Sequence, residues 1–464
     1  MQKLSRRTFL KGSTAVGTAF SMLSPLGFLA GLPSTAEAKE LSAKEISGKL
    51  YLYSGSWGHM EGSDGIHAYE FDTQKGKLKH IKQISDSIRC GQTCVDLEGG
   101  YFYCEDERTP HLDFGGDNPD DPKSGKGGGG NLFSFAVDRK TGLLEQIGKT
   151  YSYGPQPSFL CLTKEKDYML CTLYGGKTCV TRAIRTADGK FHIVTVPNLA
   201  ATQLFKMNPD HTIGELVDSY EHYSRSIENN EKKQHFSNAH CVTMSPDGKL
   251  FATCDKGGST ITFFVIDRKY HKLKVSAATY DQPNNEGARY CLFHQTQPFF
   301  YVNNEKNASV NTFKYDKYGN LELLQTVCPL PAEMVDDKLN VKKIPEGGKF
   351  EQQDFKMHPN GKYIYNMMRC AKGRTSEWEG TAVFEIDEST GLLKLKQFKT
   401  FDCLWPRGCN VSPDGKWFLV AAMYSDEILI MPIKSDGTLG DITSRVKNNT
   451  VANLTWFPEI YQAA

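Results

Sequence analysis

The sequence predicts an all-β fold, a seven-bladed β-propeller of four-stranded antiparallel blades. Three observations carry this: a four-strand unit at 240–275, its recurrence along the chain, and a spare strand near the C-terminal end. The unit reads HCVTMSPDGKLFATCDKGGSTITFFVIDRKYHKLKV, with short apolar runs at 241–244, 250–254, 261–266 and 273–275. Ser-Pro-Asp-Gly and Lys-Gly-Gly separate the first three, and their Pro and Gly suit tight turns. Runs this short and this rich in Val, Ile, Phe and Thr read as strands. One such sheet cannot bury both faces, so it must pack against copies of itself.

The copies follow in order. Units span 50–84, 93–149, 158–196, 289–327, 354–400 and 407–442, the third read as FLCL, YMLCTL and then TCVTRAIRTADGKFHIVTV. Hairpin tips at Asp72, Asp138, Asp188, Asp267, Asp316, Asp387 and Asp436 recur at about 50 residues where nothing is inserted, near the ~40–50 of propeller repeats. The first unit lacks an opening strand, and VANLTWF at 451–457 is left over. The spare strand is therefore expected to supply the innermost strand of the N-terminal blade, which removes open edges. Insertions fall at 106–130, 197–237, 331–350 and 371–380. The Lys126-Gly-Gly-Gly-Gly run precedes a strand and not a helix, so it reads as a connection and not a phosphate cradle. Long insertions in such a ring shape access to the central channel.

Composition narrows the function. The 464 residues carry a net charge of +1, which gives no reason to expect nucleic acid or an anionic membrane as partner. Ser-Arg-Arg-Thr-Phe-Leu-Lys at 5–11 resembles a twin-arginine export signal, a weakly apolar stretch covers 15–32, and Ala36-Glu37-Ala38 looks like a cleavage site. Residues 1–38 thus read as a removed signal peptide and 39–464 as the propeller domain. The expected location is the periplasm, with the twin-arginine translocase as partner during export and no membrane anchor after processing. Of 13 cysteines, Cys104, Cys171, Cys241, Cys254, Cys291 and Cys409 fall inside predicted strands, where a thiol behaves as a small hydrophobe. Cys90 with Cys94 and Cys403 with Cys409 are the plausible local disulfides, and no double CxxC spacing supports zinc. No haem, iron–sulfur or dinucleotide motif is present, so no cofactor is expected.

Residues just before each innermost strand, or at the end of the next strand, gather at one mouth of a propeller. In this chain they are Asn238 and His240; Arg289, Asn304 and Glu305; Asp354 and Arg369; Arg407; and Tyr174 and Glu105. Glu105 lies among Asp106, Glu107 and Arg108 and reads as part of a solvated face. His240 could equally cap a turn, and Arg289 and Glu305 could be a structural pair within one blade.

The stretches GIHAYEFD, LYGGKTCV, NAHCVTMSPDGKLFATCD, ARYCLFH with YVNNEKNASVNTFKYD, and WPRGCNVSPDGKWFLVAA resemble the seven-bladed-propeller lactonase family over nearly all of 50–457. That family includes 6-phosphogluconolactonase and carboxymuconate cycloisomerase. The resemblance implies that His240, Arg289, Asn304, Glu305, Pro406 and Arg407 share a central cleft as the catalytic or substrate-binding set. The chain departs from the family at Asn238, often a second histidine, and at Asp354, often a glutamate. The implied chemistry is hydrolysis of a small-molecule substrate, a sugar (aldono-) lactone or similar cyclic ester and, for an exported member, an unphosphorylated one, with Glu305 or His240 as general base and Arg289 and Arg407 as anion clamps. Asn238, Asn304, Asp354, Arg369 and Tyr174 would bind substrate. A cycloisomerase and a non-catalytic ligand- or protein-binding propeller remain the alternatives.

Overall fold

A computed structural model describes residues 46–58, 64–107, 130–175, 179–197, 200–229, 231, 235–336, 350–370 and 379–461. The export signal, most of the insertion at 106–130, and much of those at 331–350 and 371–380 lie outside the described residues.

Seven antiparallel sheets follow one another, each with four strands ordered from innermost to outermost; in blade four the short strand Tyr280–Asp281 adds a fifth, pairing with the third. The innermost strands of blades two to seven are Thr93–Asp96, Pro157–Leu162, Ala239–Met244, Ala288–Phe293, Phe350–Met357 and Pro406–Val411. Blade one is split across the chain as expected. Val451–Tyr461 is its innermost strand and pairs antiparallel with Ile46–Ser56, placing Trp456 opposite Leu52 and Leu454 opposite Ser54. Each innermost strand packs on the next around the ring. Apolar clusters fill the seams between blades; Tyr53, Phe102, Phe133, Phe135 and Phe457 close the seam between blades one and two.

The tip aspartates have a specific task. Asp72, Asp138, Asp267, Asp316, Asp387 and Asp436 each turn Oδ1 onto the backbone N–H two residues on, at 2.9–3.1 Å. That bond stabilises the tight turn locally. Six of the tips, all but that of blade five, then offer a carbonyl or ring to an aromatic side chain on the second strand of the preceding blade. Tyr53, Tyr301 and Tyr365 donate to the carbonyls of Gly142, Gly391 and Gly437 at 2.9–3.0 Å, and Tyr103 donates to that of His211. Trp417 closes the circle by donating to the Thr73 carbonyl at 2.9 Å. The tips can come this close because Gly142, Gly391 and Gly437 have φ near +70 to +80°, a region open to glycine.

Blade three corrects the sequence reading. Its third and fourth strands are Ala201–Met207 and Ile213–Glu221, not the segment ending at 196. The strands Cys179–Arg185 and Phe191–Pro197 form a separate inserted hairpin. Asp188 misleads because it makes the same turn bond, to the N–H of Lys190 at 3.0 Å, as the true tips. Asp210 serves the blade itself, accepting from the Thr212 N–H at 3.1 Å. The twelve described cysteines are all free, including Cys90, Cys94, Cys403 and Cys409.

Candidate active site in the channel mouth

One backbone device aims the candidate residues. Where the innermost strand meets its neighbour, the register slips by one residue in each of blades three to seven. The unpaired residues are Ser158, His240, Arg289, Arg407 and, in blade six, Gln353 with Asp354. A bulge of this kind takes a side chain out of the strand's alternation and re-aims it. Four of the sequence-nominated residues occupy these bulges.

At the centre lies Glu305, directly after strand Phe299–Asn304 and 4% exposed. Its Oε2 accepts from Arg289 Nε at 2.6 Å and its Oε1 from Lys256 Nζ at 2.9 Å. Burial works against the charge, but Lys256 and Arg289 outweigh it and hold the carboxyl well below the usual range. Arg289 is fully engaged, donating also to the carbonyl and to Oε1 of Gln353 at 3.2 and 3.1 Å. His240 lies against Tyr174 and Tyr290, with ring centroids 5.7 and 5.3 Å away, and its enclosed Nδ1 has no partner. Burial, then the positive charge of Arg289, pushes the imidazole well below its ordinary value and keeps it neutral.

The remaining cations ring this centre. Arg369 donates through Nε and Nη2 to Glu351 at 3.1 and 2.7 Å, while its buried Nη1 has no partner. Arg407 reaches across to Glu107 of blade two at 2.5 Å. Asp354 is wholly buried, accepts from the Cys409 N–H at 2.9 Å and pairs with Lys356 at 3.0 Å. Four of the five cations lie over an aromatic face: Lys256 over Tyr174, Arg289 over Tyr290, Arg369 over Trp405 and Arg407 over Trp57, at 4.1–4.9 Å. Such stacking fixes the cations in place.

Two nominated residues play other parts. Asn304 faces an interior network, accepting from Gln282 and donating to Ser309, both at 2.8 Å. Asn238 donates to the Tyr174 carbonyl at 3.0 Å and so buttresses that ring. Glu105 is not solvated: it is fully buried at the end of strand Tyr101–Glu105. Burial, with Cys90 and Glu107 beside it, raises its carboxyl well above the usual range. Asp106 beside it is fully buried as well, so a charged neighbourhood in sequence is a poor guide at this strand end. Sequence reasoning missed Lys256, Glu351, Gln353, Glu379, Trp57, Trp405 and Glu107. Lys256 had a readable signal, since it directly follows the second strand of its blade just as Glu305 does in the next.

Seven blades closed into a ring, with buried ion pairs and one neutral histidine at the mouth, make this a seven-bladed β-propeller with a polar central cleft. The chain belongs to the family described as "Lactonase, 7-bladed beta-propeller", which matches residues 51–457. A 6-phosphogluconolactonase of Formosa agariphila is 21% identical over 386 residues, 82% of this chain and 91% of that protein. One from an Enterobacter species is 26% identical over 196 residues, 42% of this chain and 53% of that protein's length. The fold is also that of a periplasmic gluconolactonase from Pseudomonas aeruginosa, with a TM-score of 0.69 at 18% identity, over 88% of this chain and 99% of that one.

Proposed function

We propose that this protein hydrolyses an unphosphorylated sugar lactone in the channel mouth, after export to the periplasm. The charge balance of the cleft carries the substrate reading. Among the bonded ion pairs, Lys256, Arg289, Lys356, Arg369 and Arg407 face Glu107, Glu305, Glu351 and Asp354, one cation more than carboxylates, and the nearby Glu379, pushed up to about 7 by burial, is protonated below that pH. A phosphate dianion would have to displace carboxylates already bonded to these cations. A neutral polyol lactone needs only the unmatched charge, with the aromatic faces of Trp57, Tyr174 and Trp405 beside it.

His240 is the general base in this reading. Burial and neighbouring cations lower the basicity of both groups, but both Glu305 oxygens are already bonded to Lys256 and Arg289, whereas the neutral imidazole of His240 keeps a lone pair for the proton of the attacking water. Attack at the lactone carbonyl leaves an oxyanion, which Arg369 Nη1 can bind with its free N–H. Collapse breaks the ring C–O bond, and the imidazolium returns its proton to the departing ring oxygen. The product is a hydroxy acid, ionised at neutral pH. Glu305 holds Lys256 and Arg289 in position. Export rests on the features of residues 1–38 and is tested by cell fractionation and the N-terminus of the mature chain.

The deciding experiment is turnover of paired phosphorylated and unphosphorylated aldonolactones, with spontaneous ring opening subtracted. Hydrolysis of the unphosphorylated member, lost in His240→Gln while the fold is retained, supports the reading. Preference for the phosphorylated member overturns the substrate class, and no turnover of either overturns the activity.

A further inference from the structure

Behind the cleft, at the seam between blades four and five, three thiols converge. Cys241 is on the innermost strand of blade four beside His240, Cys254 is opposite it on strand Phe251–Asp255, and Cys291 is on the innermost strand of blade five, two residues after Arg289. All three are 0–1% exposed, and their Sγ atoms lie within 4.8 Å of one another. Cys241 and Cys291 are 3.7 Å apart, and Thr243 Oγ1 is 3.2 Å from Cys291 Sγ. Among the described residues no other group of three histidine, cysteine or acidic ligand atoms comes this close.

The neighbouring seams show what this place ordinarily holds. In blade five the residue in register with Cys254 is Asn303, which bonds forward into blade six through the Gln353 carbonyl at 3.0 Å and Asn366 Oδ1 at 2.9 Å. Between blades three and four, Thr172 occupies the same register and bonds Ser158 at 3.1 Å, which donates to the Ala239 carbonyl at 3.1 Å. Each is a polar latch from one blade to the next. Only at the seam between does sulfur stand in the latch position.

We propose that Cys241, Cys254 and Cys291 bind one soft d10 cation, of the copper(I) or zinc class, as a structural latch between blades four and five. Three sulfurs at the usual ~2.3 Å from a metal lie about 4.0 Å apart in a trigonal plane and about 3.8 Å apart in a tetrahedron. The observed spacings need contraction of less than about 1 Å to reach either. An all-sulfur set selects soft cations and offers calcium or magnesium nothing. The pocket is apolar, lined by residues such as Ala252, Ile261 and Val302, so the loaded site must be neutral. A monovalent ion therefore displaces one thiol proton to solvent and a divalent ion displaces two; each thiolate so formed bonds the metal, and each remaining thiol keeps its proton and donates a sulfur lone pair, so that three sulfurs surround the ion. Burial of all three sulfurs means that loading occurs as the chain folds, not by exchange through the finished ring.

The test refolds the full chain under reducing, anaerobic conditions with Cd2+, and separately with Cu(I), then strips loose metal with a chelator. One retained ion per chain, two protons released per Cd2+ and one per Cu(I), and a raised melting temperature are expected. Retention should fall at least tenfold in each of Cys241→Ala, Cys254→Ala and Cys291→Ala, and stay unchanged in Cys328→Ala. Equal retention in all four variants, or none in the parent chain, overturns the proposal. Should the alanine variants fail to fold, X-ray absorption on the loaded parent decides. Three sulfur neighbours at the metal uphold the site, and a mixed nitrogen or oxygen shell rejects it.

Discussion

Two cations bond to Glu305, and this makes it the residue on which the cleft depends for order. Glu305→Gln would leave Arg289 and Lys256 buried without their counter-charge, a class of change that costs about 3–5 kcal/mol. Chemical denaturation should register that loss, and activity should fall with it. His240 gives a different signature. Its depressed pKa keeps it neutral through pH 6.5, so the rate should hold level across that value and fall only further into acid. An inflection near 6.5 in the pH–rate profile would count against the assignment. Glu379 supplies a stability test of known sign. Burial pushes it up to about 7 from 4.5, against the pull of the Trp405 and Cys370 N–H groups. The native state therefore binds the extra proton between those values. Relative to Glu379→Gln, the parent should lose stability as pH rises from 4.5 to 7, by no more than about 1.4 kcal/mol per pH unit, then level off. The position of His240, Arg289 and Arg407 was legible because each opens an innermost strand. Their partners were not, because Glu107 lies 300 residues from Arg407 and Lys256 lies 49 from Glu305 in the chain. Packing of one blade on the next joins Lys256 to Glu305 and closure of the ring joins Arg407 to Glu107, and no local pattern records either.

Strand and hairpin are the units at which the sequence was most readable. Apolar runs bounded by Asp and Gly gave six of the seven blades their four strands, because the turn bond made by the tip aspartate is local and leaves a local mark. Blade three failed for the same reason: Asp188 makes that bond in a hairpin that belongs to no blade. The outer latch offers a test of how strictly the tips are specified. At Gly391, with φ of +72°, an added Cβ would sit 2.4 Å from the ring of Phe299, and at Gly142 it would sit 2.4 Å from that of Tyr51. Gly391→Ala therefore combines backbone strain of order 1 kcal/mol with overpacking of about 1–3 kcal/mol. Gly189→Ala, also at positive φ but with nothing within 4 Å, should cost only the backbone share. Thermal melts of the two variants, side by side, separate the two contributions.

On the scale of the whole ring, seven seams share the burden of packing and one of them joins the two ends of the fold. Removing residues 451–461 strips blade one of its innermost strand and opens the ring at that seam. The truncated chain should show no cooperative melt, and a separately added 451–461 peptide should restore one by pairing with Ile46–Ser56. A truncated chain that melts like the parent would show that closure contributes little. The split blade also sets a timetable for biosynthesis. Roughly 400 residues separate strand Ile46–Ser56 from its partner. At 5–20 residues per second the ribosome needs about 20–80 s to cover that distance. Throughout that interval the first blade presents an unpaired edge carrying Tyr51, Leu52 and Tyr53, a template on which other nascent chains could pair. The strand at 451–461 thus decides when the strand at 46–56 becomes safe, and a chaperone that shields the first blade should be needed until that partner has been made.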